Sequence, residues 1–374
     1  MAAQSTSVRR PDEILCWPAD ACNCYIGAYV ILVKLDPRSP ESAVPAQGVV
    51  SHDVRDPKQR SEVLVRKGSI LGAADVLDLL RREVAELHLA VPEPGDLPED
   101  EAVQRLGAAV AGPGVRVERA QFGQVTLTCD SRGMLRLDAG RLERVNAQDG
   151  VLVLTAKAER PVETETPVGV VKCAPLFLSE RVLHAVEGIR SDVGPVVEVE
   201  AFRPHRAAFV APRDRLRGNA FERAAASLSI ALDWYGSPLA VIVPAGTAEA
   251  SLAAGFRQAL GEGAELILAA GATGTDPVDV VFEGLRLAGG TVDQIGIPAE
   301  PGTACWIGQL AGRPVLGLAS CELFGQPGAL DLLLPRILTG EPLDRALLRR
   351  IANGGLLVGG PSRIAPYHTS RDGA

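Results

Sequence analysis

AELILAAGATGTDPVDVVFEGLRLAGG, from Ala264 to Gly290, carries a strand, a glycine turn and a helix in immediate succession. Leu266 to Ala270 is a short apolar run suited to a strand buried on both faces. Gly271 and Gly274 mark the turn. Asp276 is expected as the helix N-cap, Pro277 fits the first helical position, and Asp279 falls in the first turn. Val281, Phe282, Leu285 and Ala288 give the helix one apolar stripe, which Gly289 and Gly290 end. Such a strand-loop-helix points backbone N–H groups and the positive end of a helix at whatever lies above the sheet, a place to hold an anion.

Around this stretch strand and helix alternate. AAFVA (Ala207 to Ala211) is expected as a strand. Asn219 caps the next helix, with Glu222 at capping-box spacing, and that helix runs to about Tyr235. LAVIVPA follows as a strand, and Thr247 caps a helix to about Leu260. VDQIGIPA and PVLGLAS are further strands, and Pro335 is expected to interrupt a helix within Leu330 to Leu338. This spacing predicts a mostly parallel sheet with helices on both faces, whose ligands bind outside the carboxyl ends of the strands.

The first half has a different texture. VLVRKG, Ala73 to Glu83, ELHLAVP and about Pro98 to Ala111 read as strand, helix, strand and helix. From Val115 to Cys173 short alternating stretches between Gly, Asn and Asp turns predict a β-rich region. The expected fold class is α/β, with a smaller α+β, β-rich domain first. The expected division is a poorly ordered leader at 1–48, domains at 49–198 and 199–345, and a tail at 346–374.

Composition excludes several classes of function. Apolar residues make up 47% and charged residues 22%, as in soluble globular proteins. Aromatics at 4% and a net charge of -8 argue against a nucleic-acid binder. No apolar run is long enough to span a bilayer; the longest candidate, Tyr25 to Leu35, is too short. Seven cysteines, an odd count, predict a reduced, cytoplasmic protein. Cys16, Cys22 and Cys24 cluster without a matching ligand pair, and Cys129, Cys173, Cys305 and Cys321 read as small buried hydrophobes, so no protein metal site is expected.

Four loops are expected to converge at one edge of the predicted sheet: PRDRLRGN, GATGTDPVD, AEPGTACWIG and LASCELFGQPG. Each signal is weak alone. A cap and a first-turn acid explain Asp276 and Asp279 as well as a site does. Pro301–Gly302 can be a plain turn, and Arg213, Asp214 and Arg215 a solvated loop. Lys172, inside the apolar VVKCAP, reads as an edge-strand lysine reaching water, or as a phosphate contact.

In order, these loops resemble the molybdopterin-binding domain of molybdenum-cofactor biosynthesis proteins, the MoaB/Mog fold that is also a domain of molybdopterin molybdotransferase. The family's Gly-Gly-x-Ser-x-Gly-x-x-Asp loop corresponds to Gly271, Ala272, Thr273, Gly274, Thr275, Asp276, Pro277, Val278 and Asp279. Its Pro-Gly turn corresponds to Pro301 and Gly302, its Gly-Leu-Pro-Gly-Asn-Pro loop to Gly317 through Ser320, Cys321 and Glu322, and its Thr-Gly-Asp-Glu-Leu loop to Pro212 through Asp214 and Leu216. From Lys67–Gly68 through GDLPEDEA, RVNAQD, VVKCAP, AGGTVDQIGIPAEPG and NGGLLVGGPSR, the order is similar to a subgroup related to cofactor cytidylyltransferase fusions.

The resemblance implies a three-layer domain that binds molybdopterin or the molybdenum cofactor and acts in its biosynthesis or maturation. It implies a phosphate held by the loop from Gly271 to Asp276, with Pro301, Gly302, Ser320, Arg213, Arg313 or Lys172, and a pterin edge held by Asp279 or Asp214. In the molybdotransferase alternative, Asp279 and Asp214 are catalytic and hold Mg²⁺ beside an adenylylated phosphate while molybdate is inserted. A second alternative is a non-catalytic carrier that hands cofactor to a molybdoenzyme or a cofactor cytidylyltransferase. A third, an unrelated nucleotide-binding α/β protein, lacks the phosphate-loop lysine pattern. A homodimer is expected. Glu300 and Thr303 stand where molybdotransferases have lysines, and the Pro-Gly-Asn-Pro loop has lost its prolines and its Asn. These departures weigh against metal insertion more than against pterin binding.

Overall fold

The computed structural model describes residues 29–34, 48–84, 86–272 and 274–357. The chain divides into two compact units. The first takes Met1–Thr128, Leu137–Ala156 and Pro167–Glu198; the second takes Cys129–Arg136, Lys157–Thr166 and Val199–Ala374.

The elements, in chain order, begin with β1 (Tyr29–Lys34), β2 (Gly48–Val50), β3 (Val54–Arg55), β4 (Val63–Val65), β5 (Ile70–Leu71) and α1 (Ala73–Arg81). Then come β6 (Glu86–Val91), β7 (Asp96–Pro98), α2 (Glu99–Val110), β8 (Val115–Val117), β9 (Gln124–Cys129), β10 (Gly133–Leu137) and α3 (Ala139–Asn146). β11 (Val151–Thr155), β12 (Arg160–Val162), β13 (Pro167–Cys173), β14 (Phe177–Ser179), α4 (Glu180–Val193) and β15 (Val197–Ala201) follow.

In the first unit these strands form sheets ordered β1-β6-β2-β5 and β11-β13-β9-β8, with small pairs β3-β4 and β14-β7. β1 lies within the expected leader and pairs antiparallel with β6; the rest of 1–47, the cysteine cluster included, lies outside the described residues. Val50, Leu71, Val76, Leu79, Leu87 and Leu89 make one core there. α4, which the sequence reading passes over, buries Leu183, Val186 and Ile189 along one side.

The second unit carries the strand order β12-β10-β15 and the sheet that positions the candidate site. The latter is built from β16 (Ala207–Pro212), α5 (Ala220–Trp234), β17 (Leu239–Ala245), α6 (Glu249–Gly261), β18 (Leu266–Ala270) and α7 (Val280–Leu287). β19 (Thr291–Ile295), β20 (Trp306–Leu310), β21 (Arg313–Leu318), α8 (Ser320–Leu323), α9 (Ala329–Thr339) and α10 (Arg345–Ile351) complete it. Strand order is β17-β16-β18-β21-β20-β19. The first four strands run parallel, and β20 and β19 are antiparallel additions. The chain is thus mixed α/β.

Every residue of β16 and β18 is buried, as two-sided burial of a central strand demands. Their side chains alternate. Phe209, Leu266 and Leu268 join one cluster with Phe221, Leu228 and Leu232 of α5 and Leu333 and Ile337 of α9. Val210, Ile267 and Ala269 join another with Phe256 of α6 and Val281, Phe282 and Leu285 of α7. Full burial of each large apolar side chain is worth about 1.5–3 kcal/mol. Trp306 opens β20, stands edge-on to Phe282 with ring centroids 5.2 Å apart, and covers Gly317, where an added Cβ would meet its ring at 1.8 Å. Among the described residues no helix is long and apolar enough to cross a membrane.

Several local expectations are corrected. α7 starts three residues later than read, and its cap is Asp279, whose Oδ1 accepts from the Val281 N–H at 2.9 Å. Asp276 accepts from the Val278 N–H at 3.0 Å and closes a small turn that includes Pro277. Thr247 is no cap, since α6 begins after Ala248. Asn219 holds the N-cap position of α5 without a side-chain cap bond, and Glu222 pairs with Arg213 at 2.5 Å. Trp306–Leu310, part of which falls in the expected loop AEPGTACWIG, is a strand because it pairs with β21. Pro335 lies inside α9 without ending it, and Thr339 Oγ1 donates to the Pro335 and Arg336 carbonyls. α3 and α10 were not anticipated.

Candidate functional site

Register fixes one rim. β16, β18 and β21 are parallel, so Pro212, Ala270 and Leu318 end at the same edge of the sheet. Trp306 pairs with Gly317 and with Ile295, which brings the turn between β19 and β20 to that edge. Four loops therefore meet there: 213–219, 271–279, 296–305 and 319–328.

Each loop touches the next. Arg215 Nη1 donates to Asp279 Oδ2 at 2.7 Å and to the Gly271 carbonyl at 2.5 Å, which ties the first loop to the second. Gly271 adopts φ +87°, and a Cβ there would lie 2.9 Å from Pro212, so the turn requires glycine. A Cβ on Gly274 would lie 3.3 Å from the Ala304 carbonyl oxygen, which brings the second loop against the third. In the third, the Glu300–Pro301 peptide is cis and Gly302 adopts φ +118°. A Cβ on Gly302 would sit 2.6 Å from the Ala329 nitrogen and 2.8 Å from Glu322 Oε1.

Glu322 joins the third loop to the fourth. Its carboxylate is buried and accepts from Cys305 Sγ at 2.5 Å, the Ala319 N–H at 2.9 Å and the Leu330 N–H at 3.2 Å. Burial pushes this carboxyl above its ordinary range, against the pull of those three donors. Burial, with Glu322 beside it, also holds the Cys305 thiol far above its usual value, so it serves as a proton donor and not as a thiolate. The circuit closes between Arg223 in the first turn of α5 and Phe324 after α8, with the guanidinium 5.2 Å from the ring centroid. From outside, Glu300 exchanges hydrogen bonds with Gly355 and Leu357, both at 2.8 Å, which props the Pro301 turn.

Of the residues picked from sequence, Gly271, Ala272, Gly274, Asp276, Asp279, Pro301 and Gly302 lie on these loops, with Asp214 and Ser320, both exposed. Thr273 lies outside the described residues. Arg313 does not join them: it is the first residue of β21, at the amino end of the sheet. Lys172 belongs to the first unit, exposed on the interior strand β13 between Leu152 and Gln124, so the edge-strand reading does not hold. Sequence reading missed the roles of Arg215, Glu322, Arg223 and Phe324. The available signal was an acid, Glu322, in an otherwise apolar stretch directly after a strand.

Asp279 has both oxygens engaged, one by the helix start and one by Arg215. Among the described residues no three His, Cys, Asp or Glu side chains are grouped to hold a metal ion. Asp279, with both oxygens engaged, is not open to Mg²⁺ while Arg215 stands where it does. The exposed guanidinium groups and loop backbone instead suit an anion.

No family model matches the chain, and no curated protein matches. Among solved structures, the molybdopterin biosynthesis MoeA protein from Pyrococcus horikosii aligns at 13% identity and TM-score 0.27, over 66% of this chain and 81% of that one. The protein CinA, of unknown function, from Thermoplasma acidophilum aligns at 17% identity and TM-score 0.26, over 40% of this chain and 96% of that one. At these scores neither alignment bears on function.

Proposed function

We propose that the second unit is a MoaB/Mog-like, three-layer domain that binds molybdopterin, or the molybdenum cofactor built on it, in that cofactor's biosynthesis or maturation. The observation behind this reading is the closed circuit of four loops at one rim, in the chain order of the family's motifs. The ligand's phosphate would lie against the backbone of Gly271–Asp276 with Arg213 beside it. The amino-amide edge of its pterin would be held by Asp214 or Asp276, two exposed acids of the rim. Asp279, assigned by resemblance to that edge or to catalysis, instead acts as a positioning residue that joins the first two loops.

Binding and handover suit this arrangement better than metal insertion, because Asp279, one of the two acids that would hold Mg²⁺, is taken up by Arg215 and the start of α7. A partner molybdoenzyme or cofactor cytidylyltransferase would receive the cofactor. The test is to incubate the whole chain with molybdopterin and with adenylylated molybdopterin plus molybdate. Stoichiometric binding without turnover, weakened by Asp214→Asn or Asp276→Asn, is the expected result. Molybdate-dependent turnover would replace the carrier reading with the transferase one. No affinity for any form of molybdopterin would end both.

A further inference from the structure

The geometry points to a stacking subsite for a planar heteroaromatic ring on Phe324, with Arg223 as its polar partner; its place at the ligand rim rests on the reading above. Phe209, Phe221, Phe256 and Phe282 of the same unit are buried, whereas Phe324 leaves 39% of its surface to solvent. A protein with only 4% aromatic residues thus sets one at the edge of its loop circuit. The position is fixed, because Leu323 and Glu322 immediately before it are buried and Glu322 is held by three donors.

Arg223 adds a second, independent observation. Among the described residues its guanidinium has no carboxylate partner, in contrast to Arg213 with Glu222 and Arg215 with Asp279. Its contact is the Phe324 ring, so its N–H donors stay free for a ring carbonyl, a ring nitrogen or a phosphate oxygen. An exposed ring beside an uncommitted fork of donors is what a flat heterocycle with an acceptor edge requires. Pterins and nucleobases share that chemistry.

Isothermal titration of the whole chain with 6-hydroxymethylpterin, a nucleoside monophosphate, inorganic phosphate and molybdopterin tests the subsite. Phe324→Leu is expected to weaken the preferred ring compound by about 5- to 140-fold, the equivalent of about 1–3 kcal/mol of stacking. Phe324→Tyr should restore binding, and inorganic phosphate should bind the variants and the parent alike. Thermal melts check that each variant is folded. Molybdopterin bound equally by the parent and Phe324→Leu would overturn the subsite and leave the proposed function standing. A nucleotide bound through Phe324, with no affinity for molybdopterin, would sustain the subsite and end the proposed function. A parent chain that binds no ring compound would overturn the subsite outright.

Discussion

At the carboxyl end of the six-stranded sheet four loops reach one another through Arg215, Asp279, Glu322 and Arg223, and two of those four side chains are buried acids. At the amino end the contacts among the described residues are exposed and involve no buried acid. Arg206 and Glu265 exchange backbone and side-chain hydrogen bonds across neighbouring strand starts, and Ala311 and Gly312 form a tight turn before Arg313. Charges there stay at the surface, where each pair contributes about 0–1 kcal/mol. Burying a carboxylate costs several times more unless its partners compensate. Stability alone would favour the amino-end construction at both ends.

The largest effect that could break this contrast is at Asp279. Asp279→Ala removes a helix cap and strands a partly buried guanidinium, which should cost about 2–4 kcal/mol in urea denaturation. A loss below about 1 kcal/mol would put the two ends on the same footing. Glu322→Gln comes next, because an amide cannot accept from all three donors; the expected cost is about 1–3 kcal/mol. Its pH dependence sharpens the point. A carboxyl raised by burial favours the folded chain most when protonated, below pH about 4, and that contribution is lost as pH rises through the raised folded value. The margin of the parent over Glu322→Gln should therefore narrow from acid toward neutral pH, and a widening margin would show the carboxylate to be the favoured form. The smallest effect belongs to the amino end: Arg313→Ala should change stability by no more than about 0.5 kcal/mol and leave molybdopterin affinity unchanged. Weakened binding there would return Arg313 to the site.

What could be read from the sequence was what burial writes locally. AAFVA and LILAA are apolar without alternation, which only a two-sided strand requires, and the helices between them carry clear stripes. WIGQL was lost among turn residues on both sides, because five residues give no period to read. α4 was lost because a glycine and scattered charges dilute its Leu183, Val186 and Ile189 stripe. TDPVD offers two caps, and Asp-Pro favoured the wrong one; packing of Val281 and Phe282 sets the true start. In the site, the loops were legible because strand ends locate them. The Arg215–Asp279 pair was not, since its members lie 64 residues apart. Arg313 was misplaced because it opens its strand, and strand direction decides which edge of the sheet a residue reaches.

Trp306 lies against Gly317 one residue beyond the loop that carries Pro301 and Gly302, with almost none of its surface open to water. That makes the indole a built-in optical gauge of the rim. With Trp17 and Trp234 replaced by phenylalanine, its emission should start in the blue and move to the red as water reaches it, and so register a loosened rim without any attached label.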